Sequence, residues 1–347
     1  MAIPPKDTSG ARVVVIGGGN GTSRLLTALK PLLDTEQIAS LHALVLNADD
    51  GGSTGRLRDQ YQVAAVGDIT KCLMSLSRFH GDIRGEEFLR ALNYRFESGD
   101  FAGHTLRNMF LTSLEKTSDI DAATAMLARI LQVPKYSGAV PTTLTPLTQQ
   151  VITTFQGKPE LLGEGQHFIS HKVNLQADPR WRPGDVRATF AEGDVPLNPR
   201  AQATLDDATH IIIAPGHTYG TILPTLALPA LGEALKGHPG KLIVAMTLLT
   251  TPRHTVGWSG EDFVKVYASY TGRQPDVVIA NTAHPDLPLV PGQTWVEFTD
   301  TDHPYELIST ELATIETETK VASDTVPRAI VIHDPEKTRN VIEPLLK

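Results

Sequence analysis

Arg12-Val13-Val14-Val15-Ile16-Gly17-Gly18-Gly19-Asn20-Gly21-Thr22 decides the fold. Four consecutive β-branched residues make a buried strand, and the glycines that follow let the chain turn tightly into a helix predicted over Thr22 to Leu33. Unpaired amides and the positive helix end then point at one spot, which suits an anion such as phosphate. No Gly-Lys-Ser/Thr follows, so the loop is not a Walker A motif, and Thr22 stands where a dinucleotide fingerprint would place its last glycine. A purely structural tight turn is the competing reading.

A second apolar run, Leu41 to Leu46, ends in Asn47-Ala48-Asp49-Asp50-Gly51-Gly52-Ser53-Thr54-Gly55-Arg56. Acids can hold a hard cation, and glycine backbone can cradle phosphate. Isolated acid pairs usually only cap or solvate a loop. This pair follows a buried strand, precedes small residues and lies near Arg56 and Arg58, which points to a ligand site at a strand end. A dehydrogenase-like dinucleotide domain fits less well, because no acidic residue closes the second strand free of the Gly-Gly turn.

Outward from these two loops, the first third alternates strand and helix, the signature of parallel strands with helical crossovers. Helical spacing over Ile69 to Phe79, Glu86 to Phe96, Thr105 to Lys116 and Ile120 to Leu131 predicts a helical cap at about 69–131. Threonine-rich alternation from Ala139 to Ile169 predicts antiparallel hairpins, and the proline-rich Ala177 to Arg200 a loop around one strand, so an insertion spans about 139–200. Alternation then returns: strands at Ile211 to Ala214, Leu242 to Ala245 and Val277 to Ala280, helices at Thr221 to Leu235 and Glu261 to Tyr270, and a last strand and helix at Ala329 to Ile332 and Pro335 to Leu346. The expectation is one α/β domain over 1–347, its doubly wound, mostly parallel sheet completed by 209–347.

Further candidates sit at helix starts and strand ends. Asp68, in Gly67-Asp68-Ile69-Thr70, is either an N-cap or a second carboxylate for the same cation. His104 and Asn108 share one face of a helix that starts at His104, with Arg107 beside them. Gly216, His217, Thr218 and Tyr219 repeat the strand, glycine, helix-start pattern, and Asn281 ends another strand. There is no G-x-S-x-G elbow, and Cys72 lies in an apolar helix pattern, so a covalent nucleophile is not expected.

Composition bounds the partners. With 347 residues, 41% hydrophobic and 20% charged, the chain is that of an ordinary globular protein, and a net charge of −8 argues against nucleic acid as a partner. No apolar run reaches the roughly 20 residues of a membrane span. The first ten residues read as a frayed tail without a signal peptide, and a single cysteine suits a reducing cytoplasm. A homo-oligomer is compatible with all of this.

Taken in order, Gly-Gly-Gly-Asn-Gly-Thr (17–22), Asp-Asp-Gly-Gly-Ser-Thr-Gly-Arg-Leu-Arg (49–58), Gly-Asp-Ile-Thr-Lys-Cys-Leu (67–73), Gly-His-Thr-Leu-Arg-Asn-Met-Phe (103–110) and Ala-Pro-Gly-His-Thr-Tyr (214–219) resemble the CofD/YvcK (UPF0052) family. The resemblance runs from about Val13 to Asn281 and implies a Rossmann-like core. It also implies one of two roles. One branch transfers a phospholactyl group from a guanosine diphosphate donor to the deazaflavin alcohol Fo, with Mg²⁺, in coenzyme F420 synthesis. The other, the gluconeogenesis factor branch, binds UDP-sugars and affects carbon metabolism and cell shape without an established reaction. Asp50 to Arg58 and Gly67 to Ile69 resemble the second branch in wording. By that resemblance, Gly17 to Thr22 and Gly216 to Thr221 contact the nucleotide diphosphate; the candidates read from the loops themselves, Asp49, Gly51, Gly52, Ser53, Arg56, His104, Asn108 and Asn281, complete the expected nucleotide site. Asp50 and Asp68 match the transferases' metal carboxylates and would be catalytic in an enzyme. The sequence departs from the pattern at His217, Gly220 and Thr247, where the family has serine, threonine and asparagine.

Overall fold

The computed structural model describes residues 9–316 and 331–347. Nearly all of the expected N-terminal tail, and the start of the expected last strand at Ala329, lie outside them. In chain order, β1 (Ala11–Ile16) leads through α1 (Gly19–Asp34) to β2 (Ile38–Val45). The helices α2 (Gly52–Tyr61), α3 (Gly67–Leu76), α4 (Ile83–Asn93), α5 (Leu106–Thr117) and α6 (Ile120–Ile130) then lead to β3 (Ser137–Pro141). β4 (Gln149–Phe155), β5 (Lys158–Glu164), α7 (Gln166–Lys172), β6 (Val186–Phe190) and α8 (Pro199–Asp206) follow. The last part holds β7 (His210–Ile213), α9 (Leu223–Leu226), α10 (Pro229–Lys236), β8 (Lys241–Ala245), α11 (Gly260–Thr271), β9 (Val277–Asn281), β10 (Glu306–Thr310), β11 (Ala313–Ile315), β12 (Val331–His333) and α12 (Pro335–Ile342).

The central sheet has the order β10-β9-β8-β7-β1-β2-β3 with every pairing parallel. Alternate residues explain why it is buried on both sides. Val14, Ile16, Ile211, Ile213 and Val244 enter one core, while Val13, Val15, Leu41, Ile212 and Ile243 enter the other. The chain fills one half of the sheet through β1, β2 and β3 and then restarts beside β1 with β7. The order therefore reverses between β1 and β7, and in doubly wound sheets the crevice at that reversal is where ligands bind.

Several expectations change. Ser137–Pro141 is not part of a hairpin but a fully buried edge strand parallel to β2; its Pro141 ends the pairing, which is why it looked like turn sequence. The antiparallel sheet is β5-β4-β6 and starts only at Gln149. α3 packs on α1 and β3, and α6 on β3 and α3, in the layer against the sheet, so α4 and α5 are the outer helices of the expected cap. The helix expected over Thr221 to Leu235 is broken into a π-turn at Thr218–Ile222, α9 and α10, with Pro224 and Pro229 at the first turns of the two helices. β12 pairs antiparallel with β11, outside the central sheet; β10, unread in the sequence, is the edge strand beside β9.

Candidate functional site

Two glycine-bearing loops meet at the reversal point. Gly17 (φ +149°) and Gly19 (φ +67°) carry the chain from β1 into α1, and Gly18 takes the N-cap position with no side chain to cap the helix. Gly21 approaches the backbone after β7 so closely that a Cβ there would lie 1.8 Å from the Pro215 carbonyl oxygen. Glycine at 21 is thus a packing requirement. Thr22 is fully buried, its hydroxyl without a partner among the described residues, and Asn20 is exposed on the first turn of α1.

The acid loop is tied down residue by residue. Buried Asn47 exchanges hydrogen bonds with Thr143, donating from Nδ2 to its carbonyl (3.1 Å) and accepting from its hydroxyl (2.9 Å). Asp49 Oδ1 accepts the Gly51 N–H at 2.9 Å. Arg58 donates to the carbonyls of Ala48, Asp49 and Leu147 and so joins this loop to the segment before β4. Gly52 (φ +49°) opens α2, so the expected glycine turn is half helix. A Cβ on Gly55 would lie 1.9 Å from the Asp50 carbonyl oxygen.

The carboxylates divide differently from the expected Asp50 and Asp68 pair. Asp50 Oδ1 accepts the His167 N–H at 2.7 Å, capping α7 from another part of the chain. Asp68, in the first turn of α3, lies over the start of α1: a Cβ on Gly18 would sit 2.7 Å from its Oδ2, and Lys71 Nζ is 3.4 Å from its Oδ1. The carboxylate set beside Asp68 belongs to Asp49, whose pKa is pushed up to about 6 by burial first and then by the Asp68 charge. Asp49, Asp68, Gln149, Gln166, Gly220 and Thr221 line a cleft there.

Asp82, Asp119, Asn198, Ser259 and Asp334 each cap a helix elsewhere with a side-chain oxygen. The helix starts at the cleft, those of α1, α2 and α3, lack an N-cap side-chain bond, as do those of α5, α7, α9 and α10. The first turn of a helix leaves its N–H groups unpaired, so these ends offer donors and a positive dipole to an anion. Among the described residues no group of three His, Cys, Asp or Glu side chains is placed to hold a metal ion. Two carboxylates beside a phosphate site still fit Mg²⁺, which takes one or two carboxylates and completes its shell with phosphate oxygens and water.

The remaining candidates separate. Ser53, His104, Asn108 and Thr70 come together in a buried chain: Ser53 Oγ lies 2.9 Å from His104 Nδ1, Asn108 Nδ2 donates to Ser53 Oγ at 3.4 Å, and Thr70 donates to Asn108 Oδ1 at 3.3 Å. α5 starts at Leu106, so His104 precedes it instead of opening it. Burial, then the charges of Arg56 and Arg95, lowers the His104 pKa. This chain backs the α2 and α3 starts. Arg56 reaches outward to the Ala102 carbonyl at 2.6 Å, and Arg107 pairs with Asn93. Asn281 is spent on backbone, its Oδ1 accepting from Ala283, Leu312 and Ala313.

In the third loop the departing histidine has a defined task. His217 Nδ1 accepts the Gly220 N–H at 2.7 Å, capping the π-turn as the family serine could. Thr218 and Tyr219 are buried, and the Tyr219 hydroxyl donates to the Val186 carbonyl at 2.9 Å, so its ring faces the hairpin sheet. Gly216 packs on Ile222. The His217 ring lies 5.2 Å from that of His254, and burial is the first cause that lowers their pKa values to about 3 and about 4. Both histidines are neutral at pH 7, so His217 brings no positive charge to a diphosphate. The native state binds fewer protons than the unfolded chain, whose histidines titrate near 6.5. The stability they contribute is full above that pH and lost as pH falls toward 3 to 4. His217→Asn keeps an acceptor at the cap, so between pH 7 and pH 5 its thermal stability should fall by less than the wild type's, the difference being on the order of 1–2 kcal/mol. Parallel melting curves across that range would contradict this.

Gln149 and Gln166 were not legible as site residues, because only the packing of the hairpin sheet against the reversal point brings them there. Arg58 had been noticed as a nearby charge, not as a clamp on carbonyls.

Comparison with known proteins bears on the family and the fold. Residues 13–321 match the family described as 2-phospho-L-lactate transferase CofD. The gluconeogenesis factor of Bacillus subtilis is 29% identical over 264 residues, 75% of each chain, and that of Listeria innocua 30% over 276 residues, 78% of this chain and 77% of its own. A Deinococcus radiodurans protein provisionally given the same name is 31% identical over 281 residues, 79% of this chain. The chain spans 54% of that relative's length. The fold matches a crystal structure of a UPF0052 family member from Bacillus halodurans with a TM-score of 0.76 and 21% identity, covering 96% of this chain and 99% of that one. With the loops, the reversal point and these relatives together, the chain belongs to the CofD (UPF0052) family, among relatives named gluconeogenesis factors.

Proposed function

We propose that the cleft binds a nucleotide sugar, of the UDP-sugar class, and that the protein acts in the cytoplasm as a regulator of the gluconeogenesis factor type, linked to carbon metabolism and cell shape. The observation that carries this reading is the convergence of three uncapped helix starts on one crevice. Their amides receive the diphosphate around Gly18, Gly19, Asn20, Gly21 and Thr22, with Gly51, Gly52 and Ser53 opposite. The acid pair gives the site a second character. A diphosphate brought against Asp49 and Asp68 meets like charge, and Mg²⁺ carried with it would neutralise both sides. Among the described residues no helix is long and apolar enough to cross a membrane.

The same acid pair favours one alternative, a Mg²⁺-dependent transferase of a phospholactyl-type group from a guanosine diphosphate donor to Fo. A thermal-shift screen of UDP, UDP-sugars, GDP, GTP and NADH with and without Mg²⁺ separates the readings. Ligand at 100 times its Kd should stabilise the native state by about 2.7 kcal/mol. UDP-sugars should shift the melt most. A larger shift with guanosine nucleotides, accompanied by turnover with Fo, would establish the transferase instead, and no shift with any nucleotide would remove both.

A further inference from the structure

The hairpin sheet contributes to the cleft an acceptor that no group among the described residues satisfies. Gln149, the first residue of β4, is 1% exposed and lines the cleft. Its Nε2 donates to the Tyr219 carbonyl at 2.5 Å, and since a carbonyl can only accept, the orientation of the amide is fixed. Oε1 is left buried without a partner. Gln166, at the start of α7, repeats the arrangement one residue along: its Nε2 donates to the Gly220 carbonyl at 3.2 Å. Each glutamine thus turns an N–H of its amide to the wall. Gln149 keeps an unpaired oxygen in a lining that also holds Asp49 and Asp68. A surface of acceptors repels phosphate and calls for hydroxyl donors. Asp68 fixes where that surface lies, since its carboxylate stands over Gly18 and also lines the cleft, so the acceptors adjoin the diphosphate position.

We infer that Gln149, assisted by Gln166, is a specificity-determining residue that accepts hydrogen bonds from the hydroxyls of the sugar beyond the diphosphate. The inference rests on the nucleotide-sugar reading and deepens it. It assigns the uncapped helix ends to the diphosphate and the hairpin sheet to the sugar, so affinity for UDP and the added affinity for its sugar are carried by different parts of the chain.

Isothermal titration of the full chain with UDP and with UDP-glucose, in Mg²⁺, tests this for wild type, Gln149→Leu and Gln166→Leu. Wild type should bind UDP-glucose at least about 10-fold more tightly than UDP, since a buried acceptor left unpaired disfavours the ligand that lacks the donor. Gln149→Leu should lose that advantage and leave UDP affinity within about 2-fold. Gln166 is only partly buried, so Gln166→Leu keeps the test open if Gln149→Leu does not fold; it should lose about 3-fold or more of the UDP-glucose advantage alone. Equal wild-type affinity for the two ligands, or variants that weaken both equally, would overturn the inference while the nucleotide reading stands. If wild type binds neither, the nucleotide reading itself falls and this inference with it.

Discussion

Gly21→Ala should cost roughly 3 kcal/mol or more of stability, with a fall in melting temperature on the order of 5–10 °C, and should abolish nucleotide binding. The added methyl would lie 1.8 Å from the Pro215 carbonyl oxygen and 2.8 Å from its carbon. Neither atom belongs to a flexible side chain. Relief requires moving the start of α1 away from the segment after β7, yet β1 and β7 are paired over Val13 to Ile16 and are the two strands that make the crevice. Gly19→Ala is the informative control. Its φ of +67° disfavours a side chain, but the nearest atoms are the Asp68 carboxylate oxygens at 3.8 Å, so it should cost about 1 kcal/mol. Equal melting curves for the two variants would show that the contact at Pro215 is not what glycine at 21 serves.

The second large effect has opposite signs for binding and for stability. Asp68→Asn should weaken binding of a nucleotide diphosphate in Mg²⁺ by about 30-fold or more, because one charged partner of the cation is lost. Asp49→Asn should weaken it in the same way. Without ligand, Asp49→Asn should stabilise the chain at pH 8. The Asp49 carboxyl is raised to about 6 in the native state, from an ordinary value of 3.8, by burial and by Asp68. The native state therefore holds that proton more tightly than the unfolded chain. The favourable contribution is full below about pH 4 and lost as pH rises through 6. The gain from Asp49→Asn should be roughly 3 kcal/mol at pH 8 and largely disappear by pH 4. Thermal melts at the two pH values check it, and a variant less stable than wild type at pH 8 would contradict it. A residue pair that lowers stability in the free protein is what a site kept for a ligand looks like.

What could be read from the chain follows from how local the cause is. β1, α1 and β2 were legible because β-branched runs, glycine turns and helical spacing are set within a dozen residues. β3 was misassigned because Pro141 and the threonines around it carry a turn signal, while its burial beside β2 depends on a partner about a hundred residues earlier. β10 was missed since Glu306–Thr310 is a half-exposed edge without an apolar run. The site divides in the same way. Gly17 to Thr22 and Asp68 could be picked out as candidates because a local strand-to-helix turn or helix start places them. That Asp49 and not Asp50 turns to Asp68 is settled by α7, whose His167 N–H takes Asp50 from more than a hundred residues away. Asn281 and Arg107 belong to other parts of the framework, and no local pattern distinguishes them from ligand contacts.

A crystal structure of the chain with a UDP-sugar and Mg²⁺ is the most direct test. The diphosphate should lie within hydrogen-bonding distance of the N–H groups at the start of α1, with Asp49 and Asp68 on the cation side and the sugar against Gln149. A diphosphate bound anywhere else, or a complex that leaves the crevice between β1 and β7 free of ligand, would contradict the account.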